Sequence, residues 1–249
     1  MAKPQRRPAR PPGQVRRNKA APAQRFPPPK PPRKTSSVAF DAPEAEEPRT
    51  FRLGAVAGAT PGKWIDAWKQ RMPRVPLELV PIEVTAQHDA LAGVDAALIR
   101  LPLIDARGQA PSPDAVHVIP LYDELPVVVA SIESHLMAAD ELTLADLTGE
   151  VVMTPVDDAL AGFEVPGSVA PSFAPLPTGE AIATAATGVG VVVVPMSLAR
   201  LHHRKDTDHR VLADGPTSTV ALAWPRERTT PDVETFVGIV RGRTANSSR

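Results

Sequence analysis

From Phe51 onward, short valine-rich runs alternate with stretches of helical periodicity, and this alternation restricts the chain to α/β architectures. Phe51 to Val56 reads as a strand. Thr60-Pro61 reads as a helix start, Thr60 as its cap and the proline in the first turn, where a fixed φ and a missing N–H are tolerated. Trp64, Ile65, Trp68 and Met72 follow at helical spacing and predict one buried face. Further strands are expected over Leu77 to Val84, Ala96 to Leu101, Val116 to Leu121, Leu125 to Ala130, Val151 to Thr154, Val191 to Val194 and Thr219 to Trp224. Helical pieces are expected over Gln87 to Leu91, Leu142 to Leu147, Glu180 to Thr187 and Met196 to Leu201. Thr230-Pro231 opens a final helix, with Val233, Phe236, Val237 and Val240 on its apolar stripe. Strands that are apolar throughout predict mostly parallel sheets covered on both faces.

Ahead of Thr50 the chain has a different character. Residues 1–37 hold eleven of the 28 Lys and Arg, none of the 28 Asp and Glu, and ten of the 30 prolines. The remainder carries seventeen basic against 28 acidic residues, so a segment of +11 precedes a body of −11 although the net charge is zero. Too little apolar surface is present upstream to offset the entropy of ordering, and residues 1–49 are expected to be disordered.

Composition also excludes several chemistries. Without cysteine there are no disulfides, thiolate metal sites or thiol nucleophiles. The basic N-terminal segment lacks the apolar run of an export signal, and the longest apolar stretches are too short to span a bilayer, so a cytoplasmic location is expected. Gly58-Ala59-Thr60-Pro61-Gly62-Lys63 superficially resembles a phosphate loop, but it has three residues between its glycines where four are needed, and Trp64 sits where a metal-binding hydroxyl belongs. His202 to His209 contains three imidazoles and reads as a mobile polar loop rather than a metal site. No nucleophile elbow or His-Glu-x-x-His helix is present, and neither catalysis, a cofactor nor a metal is expected.

Five blocks in order carry a family resemblance. They are Phe51-Arg52-Leu53-Gly54, Leu91 to Leu98 (Leu-Ala-Gly-Val-Asp-Ala-Ala-Leu), Ser134 to Ala138, Leu142 to Glu150, and Ala185 to Pro195 with its Gly188-Val189-Gly190 turn. Together they resemble the substrate-binding domain of LysR-type transcriptional regulators. The resemblance implies a type 2 periplasmic-binding-protein fold of two Rossmann-like lobes, lobe I from 50–124 and 217–243 and lobe II from 125–216. It also implies an effector bound between the lobes, a link to transcription regulation, and dimerisation that often uses the helix beginning near Trp64. Two features depart from the family pattern. The winged helix-turn-helix that normally comes first is replaced by the Pro/Arg segment, and the run from Pro155 to Pro177 is short, with five prolines where a longer helical segment is usual.

Fold physics and the resemblance together nominate effector-binding residues at strand ends and helix N-termini, where exposed N–H groups favour anions. In lobe I these are Gly58 and Thr60, the latter otherwise a simple cap, and Arg100, which would pair with a ligand carboxylate or else bridge the lobes. In lobe II they are Thr154, Thr187 and Gly188, each otherwise turn chemistry. The expected effector is a small molecule, possible partners are a second copy of the chain and DNA or RNA, and no membrane is involved. An alternative function is a nucleic-acid-associated scaffold. It would bind duplexes without sequence preference through Arg6, Arg7, Arg16, Arg17, Lys30, Arg33 and Lys34, with no interleaved aromatics for base stacking beyond Phe26.

Overall fold

The computed structural model describes residues 48–242. The residues named for nucleic-acid contact, the place of a helix-turn-helix and all but the last two residues of the segment expected to be disordered, 1–49, lie outside them. Ten strands form two five-stranded sheets.

The first sheet contains β1 (Phe51–Val56), β2 (Leu77–Ile82), β3 (Ala96–Arg100), β4 (Val116–Glu124) and β10 (Ser218–Pro225), in the order β2-β1-β3-β10-β4. The second contains β5 (Pro126–Ser131), β6 (Glu141–Leu142), β7 (Val152–Met153), β8 (Val191–Pro195) and β9 (Thr207–Leu212), in the order β6-β9-β5-β8-β7. The chain passes between sheets twice, through Leu125 on the way out and between Leu212 and Ser218 on the way back.

The central strands of both sheets are buried on both faces. On one face of the first sheet, α1 (Gly62–Arg71) and α5 (Pro231–Val240) cover a core of Phe51, Leu53, Trp68, Leu222 and Phe236. Phe51 stacks on Trp68 at 4.5 Å between centroids and lies 5.2 Å from Phe236, and the Trp68 indole N–H donates to Val75 O at 2.8 Å. The predicted stripes hold: Trp64 and Trp68 of α1 and Val233 and Phe236 of α5 are buried, and Ile65, Met72, Val237 and Val240 pack against them. The other face packs Val56, Ala97, Ile99 and Ala221 on Leu91 and Val94, which follow the four-residue helix α2 (Gln87–Ala90). In the second sheet, α3 (Thr178–Ala185) and α4 (Met196–Leu201) cover one face, and 3₁₀ turns at His135–Ala138 and Leu144–Leu147 cover the other.

Several sequence expectations are corrected. The sheets are mixed rather than mostly parallel: β1 runs parallel to β2 and β3, but β10 is antiparallel to both its neighbours, as β5 is to β8 and β9. Each sheet receives its last-crossing strand from the other lobe, and that strand enters in the reverse direction. The polar run expected as a loop ends in β9, whose Thr207 and Leu212 are buried and whose Asp208 and Arg210 side chains pair at 2.7 Å. The residue preceding α1 is Pro61 and not Thr60, since Trp64 and Ile65 N–H both donate to Pro61 O. Leu142 to Leu147 divides into β6 and a 3₁₀ turn, which Asp146 secures by accepting the Thr143 N–H at 2.8 Å. Thr230 caps α5 as expected, accepting from Val233 N–H.

Candidate functional site

β3 is wholly apolar until its last residue, and Arg100 therefore carries a guanidinium to the sheet end with only 1% of its surface exposed. A buried charge must be paired and hydrogen-bonded to be tolerated. The pairing comes from four segments distant in sequence. Arg100 Nη1 donates to Glu124 Oε2 at 2.7 Å and to Ser218 Oγ at 3.0 Å. Its Nη2 donates to Ala57 O at 3.2 Å and to Ser197 Oγ at 3.0 Å, and Ser197 Oγ donates in turn to Glu124 Oε2 at 2.8 Å. Ser218 Oγ reaches Ala159 O at 3.2 Å. The buried Gln87 side chain fixes the Arg100 backbone from both sides, accepting its N–H at 2.9 Å and donating to its carbonyl at 2.7 Å.

Glu124 and Ser218 stand at the two points where the chain changes sheets, and Ser197 opens α4 on the second sheet. Arg100 is thus a bridge at the junction of the sheets. Its Nε, enclosed by protein, is the one buried side-chain polar atom without a hydrogen-bond partner among the described residues. Gly58 completes the junction. Its φ is +82°, and a Cβ there would lie 2.5 Å from Ser197 Oγ and 3.1 Å from Arg100 Nη2, so only glycine fits.

Two chambers flank the bridge. The first, about 610 Å³, is walled by Gly58, Ala59 and Thr60, by Tyr122, Asp123 and Glu124, and by Leu125, Met196, Ser197, Arg200 and Leu201. Burial and the adjacent Glu124 carboxylate push the Tyr122 phenol above its ordinary value, opposed by Arg100 and by polar contacts with Thr60. The second, about 330 Å³, lies between Val84, Thr85, Gln87 and the segment from Arg100 to Gly108 on one side and Asp158, Ala159 and Ala161 on the other. Asp158 accepts the Leu160 N–H at 2.8 Å and the Gly162 N–H at 2.6 Å, which holds Ala161 at a left-handed φ of 57°. Both volumes suit a small organic molecule.

The sequence-nominated residues divide accordingly. Gly58 and Thr60 line the first chamber and Arg100 the second. Thr154 is exposed after β7 and lines neither. Thr187 and Gly188 line a separate cavity of about 620 Å³ with Ser131 and Val191. That cavity sits at the opposite ends of β5 and β8 from Leu125 and Met196, so these two residues do not meet Gly58, Thr60 or Arg100. Locally they perform turn chemistry: Thr187 Oγ1 donates to Thr184 O at 2.7 Å, and Gly188, at φ +79°, donates its N–H to Ala185 O. Sequence reasoning missed Glu124, Ser197 and Ser218. The available signal was a lone arginine ending an apolar strand, which demands a carboxylate but does not say which.

The chain belongs to the LysR substrate binding domain family, whose model matches residues 44–245. Among curated proteins it is similar to the Hca operon transcriptional activator HcaR of Escherichia coli K12, with 25% identity over 217 residues, 81% of this chain and 70% of that one. Among solved structures it is similar to the reduced OxyR regulatory domain from Pseudomonas aeruginosa, at TM-score 0.58 and 22% identity, covering 78% of this chain and 98% of that one. It is also similar to the BenM effector binding domain with its effector benzoate, at TM-score 0.61 and 18% identity, covering 80% and 96%. The fold is the two-lobed, type 2 periplasmic-binding-protein kind expected from the sequence. No described helix is long and apolar enough to cross a membrane.

Proposed function

We propose that this domain binds a small-molecule effector between its lobes, 50–124 with 217–243 and 125–216, and passes that signal to transcription without catalysing a reaction. The observation that carries the reading is the pair of chambers at the sheet junction, beside the two chain crossings, β4–β5 and β9–β10. A ligand touching both walls favours one lobe arrangement over others by its differential contacts, and that is how occupancy becomes a shifted population. The relatives' names support it, since HcaR is an operon activator and BenM has benzoate as effector. Cytoplasmic location and assembly with a second copy, or with DNA through the basic segment, belong to the same reading.

The test is a thermal-shift screen of small organic acids, amines and alcohols on the full chain, since a ligand at about 100 times its Kd adds ~2.7 kcal/mol to the folded state. Leu201→Trp fills the first chamber and Ile104→Trp the second, both at exposed positions. A genuine hit loses its shift in one of these variants. Hits that persist in both, or no hit at all, refute the reading.

A further inference from the structure

Arg100 was the residue nominated to receive a ligand carboxylate, but the fold has already given it one. Glu124 Oε2 lies 2.7 Å from Nη1, and Ser197, Ser218 and Ala57 take the remaining Nη contacts. With side chains 2% and 10% exposed, the pair is enclosed and neutral as a unit. An incoming anion would have to displace an internal carboxylate held in good geometry.

The charges that remain on the walls have the opposite sign. Outside that pair, the first chamber carries Asp123 against Arg200, and the second carries Asp105 and Asp158 with no further cationic side chain on its wall. Among the described residues, no hydrogen bond engages Glu124 through its second oxygen, whereas Oε2 serves both Arg100 and Ser197. Asp105 and Asp158 accept backbone N–H groups, from Arg107 and Gln109 in one case and Leu160 and Gly162 in the other. Beside these carboxylates each chamber offers an apolar patch: Leu125, Met196 and Leu201 in the first, and Val84, Ile104 and Ala159 in the second.

We propose that the interlobe cleft selects an organic cation, an amine or guanidine compound with an apolar body, over carboxylates. The inference rests on the interlobe reading above and adds the ligand class. With the Arg100–Glu124 pair neutral, three wall carboxylates (Asp105, Asp123 and Asp158) stand against one guanidinium, Arg200, and give a field that attracts cations and repels anions over the few ångströms where screening is weak.

The test uses matched sets differing only in charge: benzylamine, benzyl alcohol and benzoate, and putrescine, butanediol and succinate. Affinities for the full chain are measured calorimetrically at low and at physiological salt. The amine is expected to bind roughly tenfold or more tighter than the matching carboxylate at low salt, with the gap narrowing as salt rises. Asp123→Asn or Asp105→Asn, an exposed and a half-buried carboxylate whose hydrogen bonds an amide oxygen can keep, should weaken the amine about threefold and leave the alcohol unchanged. Equal or tighter binding of the carboxylate overturns the ligand class while the interlobe reading stands. Amine binding indifferent to both asparagine variants places the cation elsewhere and also overturns it. Silence from every member of both sets removes the ligand class and counts against the interlobe reading as well.

Discussion

Replacing Glu124 with alanine probes the bridge most directly. The variant leaves Arg100 charged, 1% exposed, and without its counter-ion. At 2.7 Å the ion pair has a Coulomb energy of about 6 kcal/mol at an effective dielectric of ~20. Most of that offsets the desolvation of two charges, but removing one partner strands the other, a loss of about 3–5 kcal/mol. Ser197 loses its acceptor too, so one of the links between the sheets is weakened. For a domain of this size the melting temperature should fall by roughly 6–20 °C. Urea unfolding followed by circular dichroism gives the free-energy change directly. The double variant Arg100→Met with Glu124→Leu is the control. It removes both charges and fills similar volume, and it should recover most of the loss. A single-variant effect below about 1 kcal/mol, or a double variant no better than the single, would refute the assignment of Arg100 as a buried, internally neutralised bridge.

Three further outcomes follow from the geometry. Gly58→Ala places a methyl against Ser197 and Arg100 at a left-handed φ, so it should cost about 1–3 kcal/mol in denaturant titration, and an unchanged midpoint would mean the junction is looser than described. Trp68→Ala empties the centre of the aromatic cluster and orphans Val75 O, with an expected loss of about 3–5 kcal/mol; a loss under ~1 kcal/mol in the same titration would place the core elsewhere. The carboxyls of Asp146, through Thr143, and of Asp208, through Arg210, are held below their ordinary value. A depressed folded-state pKa contributes stability above the unfolded value near 3.9, lost as pH falls through the folded one, so unfolding midpoints should drop below about pH 4 and drop less steeply in Asp208→Asn. An identical acid limb in the variant would contradict this.

How much was legible in the sequence depends on whether the signal was local. The stripe of α1 and the cap and stripe of α5 were readable, because periodic burial and an N-terminal Thr-Pro act within one element. Thr60 failed as a cap because the chain turns one residue later, which leaves Thr60 beside Tyr122. β9 was invisible because its Thr-Asp-His-Arg run resembles solvent-facing loop, and it becomes a strand only because β5 and β6 offer it backbone partners. Thr187 and Gly188 were nominated for the effector, with turn chemistry as the alternative, and which end of a strand they would share with Gly58 and Arg100 was not legible because it depends on strand direction, and β5 and β8 run antiparallel.

By itself, then, the sequence determined the α/β class, the break in character at Thr50 and the likeness to LysR effector domains, since composition, periodicity and ordered blocks are properties of the unfolded string. Only the tertiary structure decided what Arg100 does. Positions 57, 124, 197 and 218 converge on it because two chain crossings bring the sheet ends together. A guanidinium that could have met a ligand is neutralised instead by whichever carboxylate the fold delivers within hydrogen-bonding distance.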